Sequence, residues 1–322
     1  MKDLTPDVAV VVASHDRPLR LRWLLNALED QDHDAFEVIV AHDSSDETEA
    51  LLRDHPLARA GVLRHLRFAP GPGPAAKRNA GWRAARAPLV AFTDDDCRPP
   101  RDWVANAVRA ARAAPGAVVQ GATEPDPDER NLLFRAAHVL TQRVDPPDPW
   151  GQTCNIVYPR ALLEQLGGFD EALPVAAGED TDLALRARAA GVRLVAAPDV
   201  RTYHAVDPVT LPAALRNAWR WQHMPYVAAR HPEIRREVLL GLFWKPEHAW
   251  ILLALAGLLA ARRFPLAALL VLPWARLRLP PYGASRRGRL RAAAELPGRA
   301  AEDVVGVAAL ARGSLRHRTL FL

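Results

Sequence analysis

Three consecutive carboxylates, Asp94, Asp95 and Asp96, close the apolar run Leu89-Val90-Ala91-Phe92, and Pro99 and Pro100 come within a few residues. The run reads as a short buried strand that ends abruptly in charge. Adjacent carboxylates repel one another, so placing them at the exit of an apolar strand calls for a compensating cation. Hard oxygen ligands suit Mg²⁺ or Mn²⁺, and a cation so held would in turn hold phosphate. Standing alone, the acidic run reads equally as a solvated turn capping a helix over residues 103–114.

The elements around this run favour the binding reading. Val8 to Ala13 is continuously apolar and β-branched, as in a parallel strand buried on both faces. Ser14-His15-Asp16-Arg17-Pro18 comes next, and then Leu21, Leu24, Leu25 and Leu28 at helical spacing. Phe36 to Ala41 repeats the pattern, leading into His42-Asp43-Ser44 and an amphipathic helix through Leu51 and Leu52. A third strand is expected over 61–68, a third helix over 75–85, further strands over 117–121 and 192–196, and helices over 131–142, 159–166 and 178–190. Strands alternating with helices predict an α/β domain with a largely parallel sheet, and ligands in such sheets sit beyond the carboxyl ends of the strands. The loops at Ser14, His42 and Asp94 all come after strands, so they gather on that edge.

The chain of 322 residues carries a net charge of +5, almost wholly from arginine, since Lys2, Lys77 and Lys245 are its lysines. That balance allows an anionic partner, either a phosphorylated substrate or a membrane surface. No recognition motif points to nucleic acid. Two cysteines give no disulfide framework, and the start MKDLTPD lacks a signal-peptide core, so a cytoplasmic domain is expected. Beyond Asp207 the texture changes. Residues 211–230 read as helical and aromatic, 249–261 and 265–274 as apolar runs split by Arg262-Arg263, and arginines crowd the stretch from Arg276 to Arg291. Each run falls short of the roughly 20 residues that span a bilayer. A peripheral or re-entrant association with the inner face of the membrane is expected, with a buried structural hairpin as the alternative. The expected organisation is therefore 1–206 as the α/β domain, 207–245 as a helical extension, and 246–322 as an apolar and basic membrane-associating region.

From Val8 to His204 the pattern resembles family 2 glycosyltransferases of the GT-A fold. Ser14 to Pro18 resembles the family's TYNRP turn, Phe36 to Asp46 its VVDDGS segment, and GPAAKRNAG at 73–81 its G-x-x-x-ARN-x-G motif. The acidic run resembles its DXD motif, Gly167 to Asp170 its GGFD motif, and Glu179-Asp180 its ED motif. These six occur in the family's order. His15 stands where an aromatic is usual, and His42 replaces an acid. Asn217-Ala218-Trp219-Arg220-Trp221 carries Asn where the synthase motif QxxRW has Gln, so processive polymerisation is not implied.

The resemblance implies a Rossmann-like, mostly parallel mixed sheet and an inverting, metal-dependent transfer from a nucleoside-diphosphate sugar to a hydroxyl on a glycan or lipid-linked acceptor. It implies Asp94, Asp96 and His204 as ligands of Mg²⁺ or Mn²⁺, and Ser14, Asp16, Asp43, Arg78, Asn79, Asp94 and Asp95 around the donor. Asp180 is implied as the base, with Asp170 and Glu179 at the acceptor. Each has a plainer reading as well: a helix cap for Asp180, an Asx turn for Asp43 and Asp170, a loop-fixing role for Asn79, a packed histidine for His204. The alternative function is a non-catalytic protein that binds a nucleotide or glycan, motivated by the substitutions at His15 and His42.

Overall fold

A computed structural model describes residues 5–280, 282–283 and 285–322. Ten strands occur among them: β1 (Val8–Ser14), β2 (Phe36–His42), β3 (Leu63–Arg67), β4 (Leu89–Asp94), β5 (Cys97–Arg98), β6 (Val118–Pro125), β7 (Val139–Leu140), β8 (Asn155–Pro159), β9 (Leu194–His204) and β10 (Asp207–Pro208). Eight form one sheet in the order β3-β2-β1-β4-β8-β6-β9-β5. The pairs β3–β2, β2–β1, β1–β4 and β6–β9 are parallel, while β8 runs antiparallel to both its neighbours and β5 antiparallel to β9. The expected α/β architecture, mostly parallel and mixed, is thus present.

The central strands carry buried apolar side chains on both faces. Val8, Val10 and Val12 pack with Leu21, Leu24, Leu25 and Leu28 of the helix Pro18–Glu29 on one side. Ala9 and Val11 pack with Ala75 and Trp82 of the helix Pro74–Ala84 on the other. The parallel register sets Ser14 beside His42 and Asp94 beside Ala13, so the loops after β1, β2 and β4 open on the same edge. Antiparallel β5 returns the chain directly after the acidic run and sets Cys97 against His204. Where β6 and β9 slip register at Gly121, the Asn155 amide donates to Ala122 O at 2.8 Å and Val200 O at 2.7 Å, and its oxygen accepts from Trp103 Nε1 at 2.9 Å. A Cβ on Gly121 would lie 2.2 Å from Val200 O, which explains the glycine.

Residues 1–130 with 141–206 form one compact unit, and 131–140 with 207–322 a second. The helix expected over 131–142 is a single turn, Leu132–Arg135, leading into β7 paired with β10; that short piece belongs to the second unit. The helix expected over 211–230 is broken by a 3₁₀ turn at Arg220–His223. The arginine-rich end, for which the sequence pattern predicts no element, contains a helix of 32 residues, Arg286–His317, with Pro297 inside it. Close packing explains this helix. A Cβ on Gly313 would lie 2.2 Å from Gln222 O, so its glycines mark tight contact and not a break. The apolar runs form Pro246–Ala260 and, after a 3₁₀ stretch, Val271–Arg278. Among the described residues no helix is long and apolar enough to cross a membrane.

Glu37, fully buried on β2, clasps the connection into β4. It accepts from Arg86 N at 2.6 Å, Ala87 N at 3.0 Å and Arg64 Nη2 at 2.7 Å. Burial alone would raise its pKa, but these donors and Arg86 Nε outweigh it and hold the carboxyl below its ordinary value. A depressed folded pKa stabilises above the unfolded value and loses that contribution as pH falls through the folded one. Glu37→Gln is therefore expected to cost on the order of 3 kcal/mol in urea unfolding at neutral pH. The wild-type advantage should shrink below about pH 4.3, the unfolded-state pKa of glutamate.

Candidate active site

The two acidic motifs meet on one guanidinium. Arg78, buried on the helix Pro74–Ala84, donates from Nη2 to Asp94 Oδ1 at 2.9 Å and from Nη1 to Glu179 Oε1 at 2.8 Å. Its CZ lies 5.8 Å from the centre of the Phe169 ring. A planar fork reaches two carboxylates from separate nitrogens, a span that lysine's single nitrogen lacks. This clasp brings the end of β4 to the start of the helix Glu179–Ala189, and so brings Asp94 into the neighbourhood of Asp180. Asp94 also takes a long bond from Gln142 Nε2 at 3.4 Å. Glu179 is buried beneath Arg78, which fits it for positioning more than for reaching an acceptor.

Asp96 and His204 supply a test of cation binding. His204 Nδ1 lies 2.9 Å from Ala205 O, a bond that requires the proton on Nδ1 and, in the neutral ring that binds metal, leaves a lone pair on Nε2. That lone pair faces Asp96 Oδ1 at 3.3 Å, and both side chains are buried. With Cys97 they bring three ligand atoms within 4.8 Å of one another. Two electron-rich atoms so placed are what a shared cation satisfies; imidazole and carboxylate suit a divalent ion. Asp96 and His204 therefore fit the implied metal, whereas Asp94 is not one of these three and gives Oδ1 to Arg78. Arg17 holds the other oxygen, with Nη1 2.5 Å from Asp96 Oδ2 and 3.5 Å from Asp95 Oδ1. Asp95 is buried and accepts from Ser14 Oγ at 2.8 Å. Burial and the Asp96 charge push its pKa up to about 7, against Arg17 and Ser14, which pull it down. The buried thiols of Cys97 and Cys154 lie beside this cluster, and burial raises both pKa values, as do the neighbouring aspartates.

Asp43, buried after β2, is bound by Lys77 Nζ, by His15 Nδ1 at 2.9 Å and by Gly71 N at 3.4 Å. Burial would raise its pKa; Lys77 and His15 outweigh it and hold the carboxyl down. Lys77 also donates to Ser14 O at 3.0 Å. Asp16, at φ 47°, accepts from Ser45 N at 2.9 Å through its side chain, tying the loops after β1 and β2 together. Asp is among the residues that tolerate this conformation.

Asn79 is spent on the loop after Gly167. Its amide donates to Phe169 O at 2.9 Å and Glu171 Oε1 at 2.7 Å, and its oxygen accepts from Phe169 N at 2.8 Å and Trp82 Nε1 at 2.9 Å. That arrangement fixes the loop and leaves no polar atom over for a donor. Asp170, half-buried on the same loop, accepts from Ala172 N at 2.9 Å in an Asx turn.

Asp180 is crowded on all sides yet keeps part of its surface accessible, and Oδ1 accepts from Thr181 N at 2.8 Å. Burial first, then the Glu179 charge, push its pKa up to about 7, against the pull of Arg78 and Thr181. A carboxylate raised toward neutrality is a stronger base than a solvated one. Sequence reasoning misses Arg17 and Lys77 as site residues. The signal is present all the same: a cation within the SHDRP turn and another within the 73–81 motif, beside an acidic run that needs compensation.

The parallel-sheet edge thus brings two acid motifs onto one arginine and aims a histidine at a carboxylate. The model for "Glycosyl transferase family 2" matches residues 9–167 and that for "Glycosyl transferase family group 2" matches 89–279, and the chain belongs to this family. It is 29% identical over 265 residues to a pre-mycofactocin glycosyltransferase of Mycobacterium tuberculosis, covering 77% of this chain and 53% of that protein. It is 28% identical over 243 residues to a validoxylamine A glucosyltransferase of Streptomyces hygroscopicus, covering 62% of this chain and 57% of that one. The chain thus spans little more than half the length of these relatives. In fold it resembles a mannosyltransferase from Pyrobaculum calidifontis solved with GDP-Man and Mn²⁺, with a TM-score of 0.61 at 21% identity, over 98% of this chain and 88% of that one.

The Arg78 clasp is testable apart from catalysis. Arg78→Lys keeps the charge but cannot serve both carboxylates, and a melting temperature about 5–10 °C lower is expected by calorimetry. An unchanged melting point would mean that the guanidinium is not holding the two motifs together.

Proposed function

We propose that the protein is an inverting glycosyltransferase that moves a sugar from a nucleoside diphosphate to a hydroxyl on a glycan or lipid-linked acceptor. The observation that carries this reading is the single guanidinium of Arg78 shared by Asp94 and Glu179, which keeps the acidic run and Asp180 within one neighbourhood. Direct displacement needs both functions in one place.

Asp94, Asp96 and His204 would hold Mg²⁺ or Mn²⁺, which supplies stabilisation of the charge that gathers on the departing diphosphate. The relative solved with GDP-Man and Mn²⁺ supports a divalent cofactor of this kind. Arg17, whose side chain is 46% exposed, has room to turn its guanidinium toward the diphosphate while staying near Asp95 and Asp96. Asp43 with Lys77, and Ser14 with Asp95 and Asp16, form the donor side; Asn79 acts there through the loop it fixes. Asp170, on that loop, stands for the acceptor side, and Glu179 positions it through Arg78.

In the reaction, the acceptor oxygen attacks the anomeric carbon from the face opposite the diphosphate. The bond from that carbon to the diphosphate oxygen breaks as the new glycosidic bond forms, and the acceptor proton passes to Asp180. The diphosphate leaves with the electron pair, and Asp180 returns its proton to solvent.

Asp180→Asn is expected to lower kcat by about 10²–10⁴-fold while changing donor affinity little. Since the base must be ionised, wild-type kcat/KM should fall as pH drops through about 7, and the variant's residual rate should lack that limb. Normal turnover by the variant would remove Asp180 from the role.

Asp96→Ala should abolish the metal-dependent part of donor binding. In the wild type, Mn²⁺ with a saturating nucleotide sugar should raise the melting temperature, because a ligand selective for the native state stabilises it. The variant should show no added shift from Mn²⁺ across UDP-, GDP- and dTDP-sugars.

A further inference from the structure

The second unit exposes an apolar surface that its own core does not use. Among the described residues, twelve of the twenty-one exposed large apolar side chains lie between Trp250 and Leu290. They are densest where the helix Pro246–Ala260 turns through Phe264 into the 3₁₀ stretch Pro265–Leu270. Leu259 and Phe264 are each 66% exposed and Leu266 80%. On its inner side the hairpin is anchored. Ile251, Ala254 and Trp274 form a small core with Leu296, Ala300 and Val307 of the long helix, and Trp274 Nε1 donates to Asp303 Oδ2 at 2.8 Å. The exposed leucines are therefore held outward by a fixed scaffold. Exposed apolar surface of this extent, held in place, marks an interaction site.

Charge identifies what it meets. From Ala249 to Ala294 the sequence contains eight arginines and no aspartate or glutamate. Arg262, Arg263, Arg276, Arg286, Arg287 and Arg289 are exposed around the leucines. Two copies of so basic a face would repel one another, which disfavours self-association. An anionic lipid surface offers hydrocarbon to the leucines and phosphate to the arginines together.

We propose that this hairpin is an interfacial anchor, which lies in the headgroup region of an anionic phospholipid bilayer with Leu259, Phe264 and Leu266 inserted and the arginines on the phosphates. Depth is set by the same residues. The helix Pro246–Ala260 has 15 residues and so reaches about 22 Å, short of the roughly 30 Å of hydrocarbon. Arg262 and Arg263 sit at the turn itself, where they reach back to the headgroups instead of crossing. Insertion is thus shallow and on one side only. The anchor goes beyond the transfer chemistry and stands or falls without it.

Flotation of the full chain with vesicles tests the idea. Binding is expected to phosphatidylcholine vesicles containing about 30% phosphatidylglycerol, weaker at high salt and much weaker to phosphatidylcholine alone. Replacing Leu259→Glu, Phe264→Glu and Leu266→Glu together should lower the partition coefficient at least about tenfold, with the melting temperature unchanged because all three are exposed. Arg262→Gln with Arg263→Gln should lower it less and remove part of the salt dependence. The proposal is overturned if the wild type does not float with the anionic vesicles, or if the triple glutamate variant floats as well as the wild type. It is equally overturned if the wild type is a dimer by light scattering that the triple variant dissolves while neither binds lipid.

Discussion

A buried arginine between two carboxylates governs the first unit of this molecule. The acidic run and the ED pair come from strands and helices far apart in the chain, and each would be destabilised by its own like charges. Arg78 relieves both at once, with Asp94 at 2.9 Å and Glu179 at 2.8 Å. Its cost of burial is met by two carboxyl partners and the face of Phe169. Removing it would leave buried anions uncompensated, so the same contact serves folding and the site. Asp95 and Asp180, the acids next to this clasp in sequence, are the two whose pKa values rise to about 7. Compensation is thus selective, and the groups left short of it are poised near neutrality.

Much of this is legible in the sequence. Short, β-branched, continuously apolar runs such as Val8 to Ala13 read as strands covered on both faces, and their parallel order sends Ser14, His42 and Asp94 to one edge. The motif pattern groups His204 with the acids, and the side chain faces Asp96 at 3.3 Å. What the pattern does not show is which cation meets which carboxylate. Arg78 sits in a motif that suggests a contact with phosphate, whereas its two ends are spent inside the protein. Lys77 and Arg17 look like surface charges in one dimension. Tertiary packing turns Lys77 onto Asp43 and Arg17 onto Asp95 and Asp96.

The second unit is harder to read for a different reason. Pro297 and several glycines interrupt the helical signal over residues 286–317, so local propensity argues for breaks. Packing overrides it: a Cβ on Gly313 would lie 2.2 Å from Gln222 O, and one on Gly306 3.0 Å from His248 Nε2. The opposite holds over residues 131–142. Apolar residues at helical spacing suggest a helix, yet only Leu132–Arg135 forms one, and Val139–Leu140 is drawn into β7 opposite β10. In each case a strand or helix from distant sequence supplies the deciding contact.

Both thiols of the chain are sealed beside the acidic cluster, with Cys97 Sγ pointing at Cys154 O at 3.7 Å and both held protonated. Alkylating dyes attack thiolates, so the native molecule is chemically silent toward them. One cysteine introduced at a surface position would accept a fluorophore without any prior removal of native residues. Slow labelling of the wild type would then time the spontaneous opening of the sheet beneath the acids, residue by residue and without a substrate.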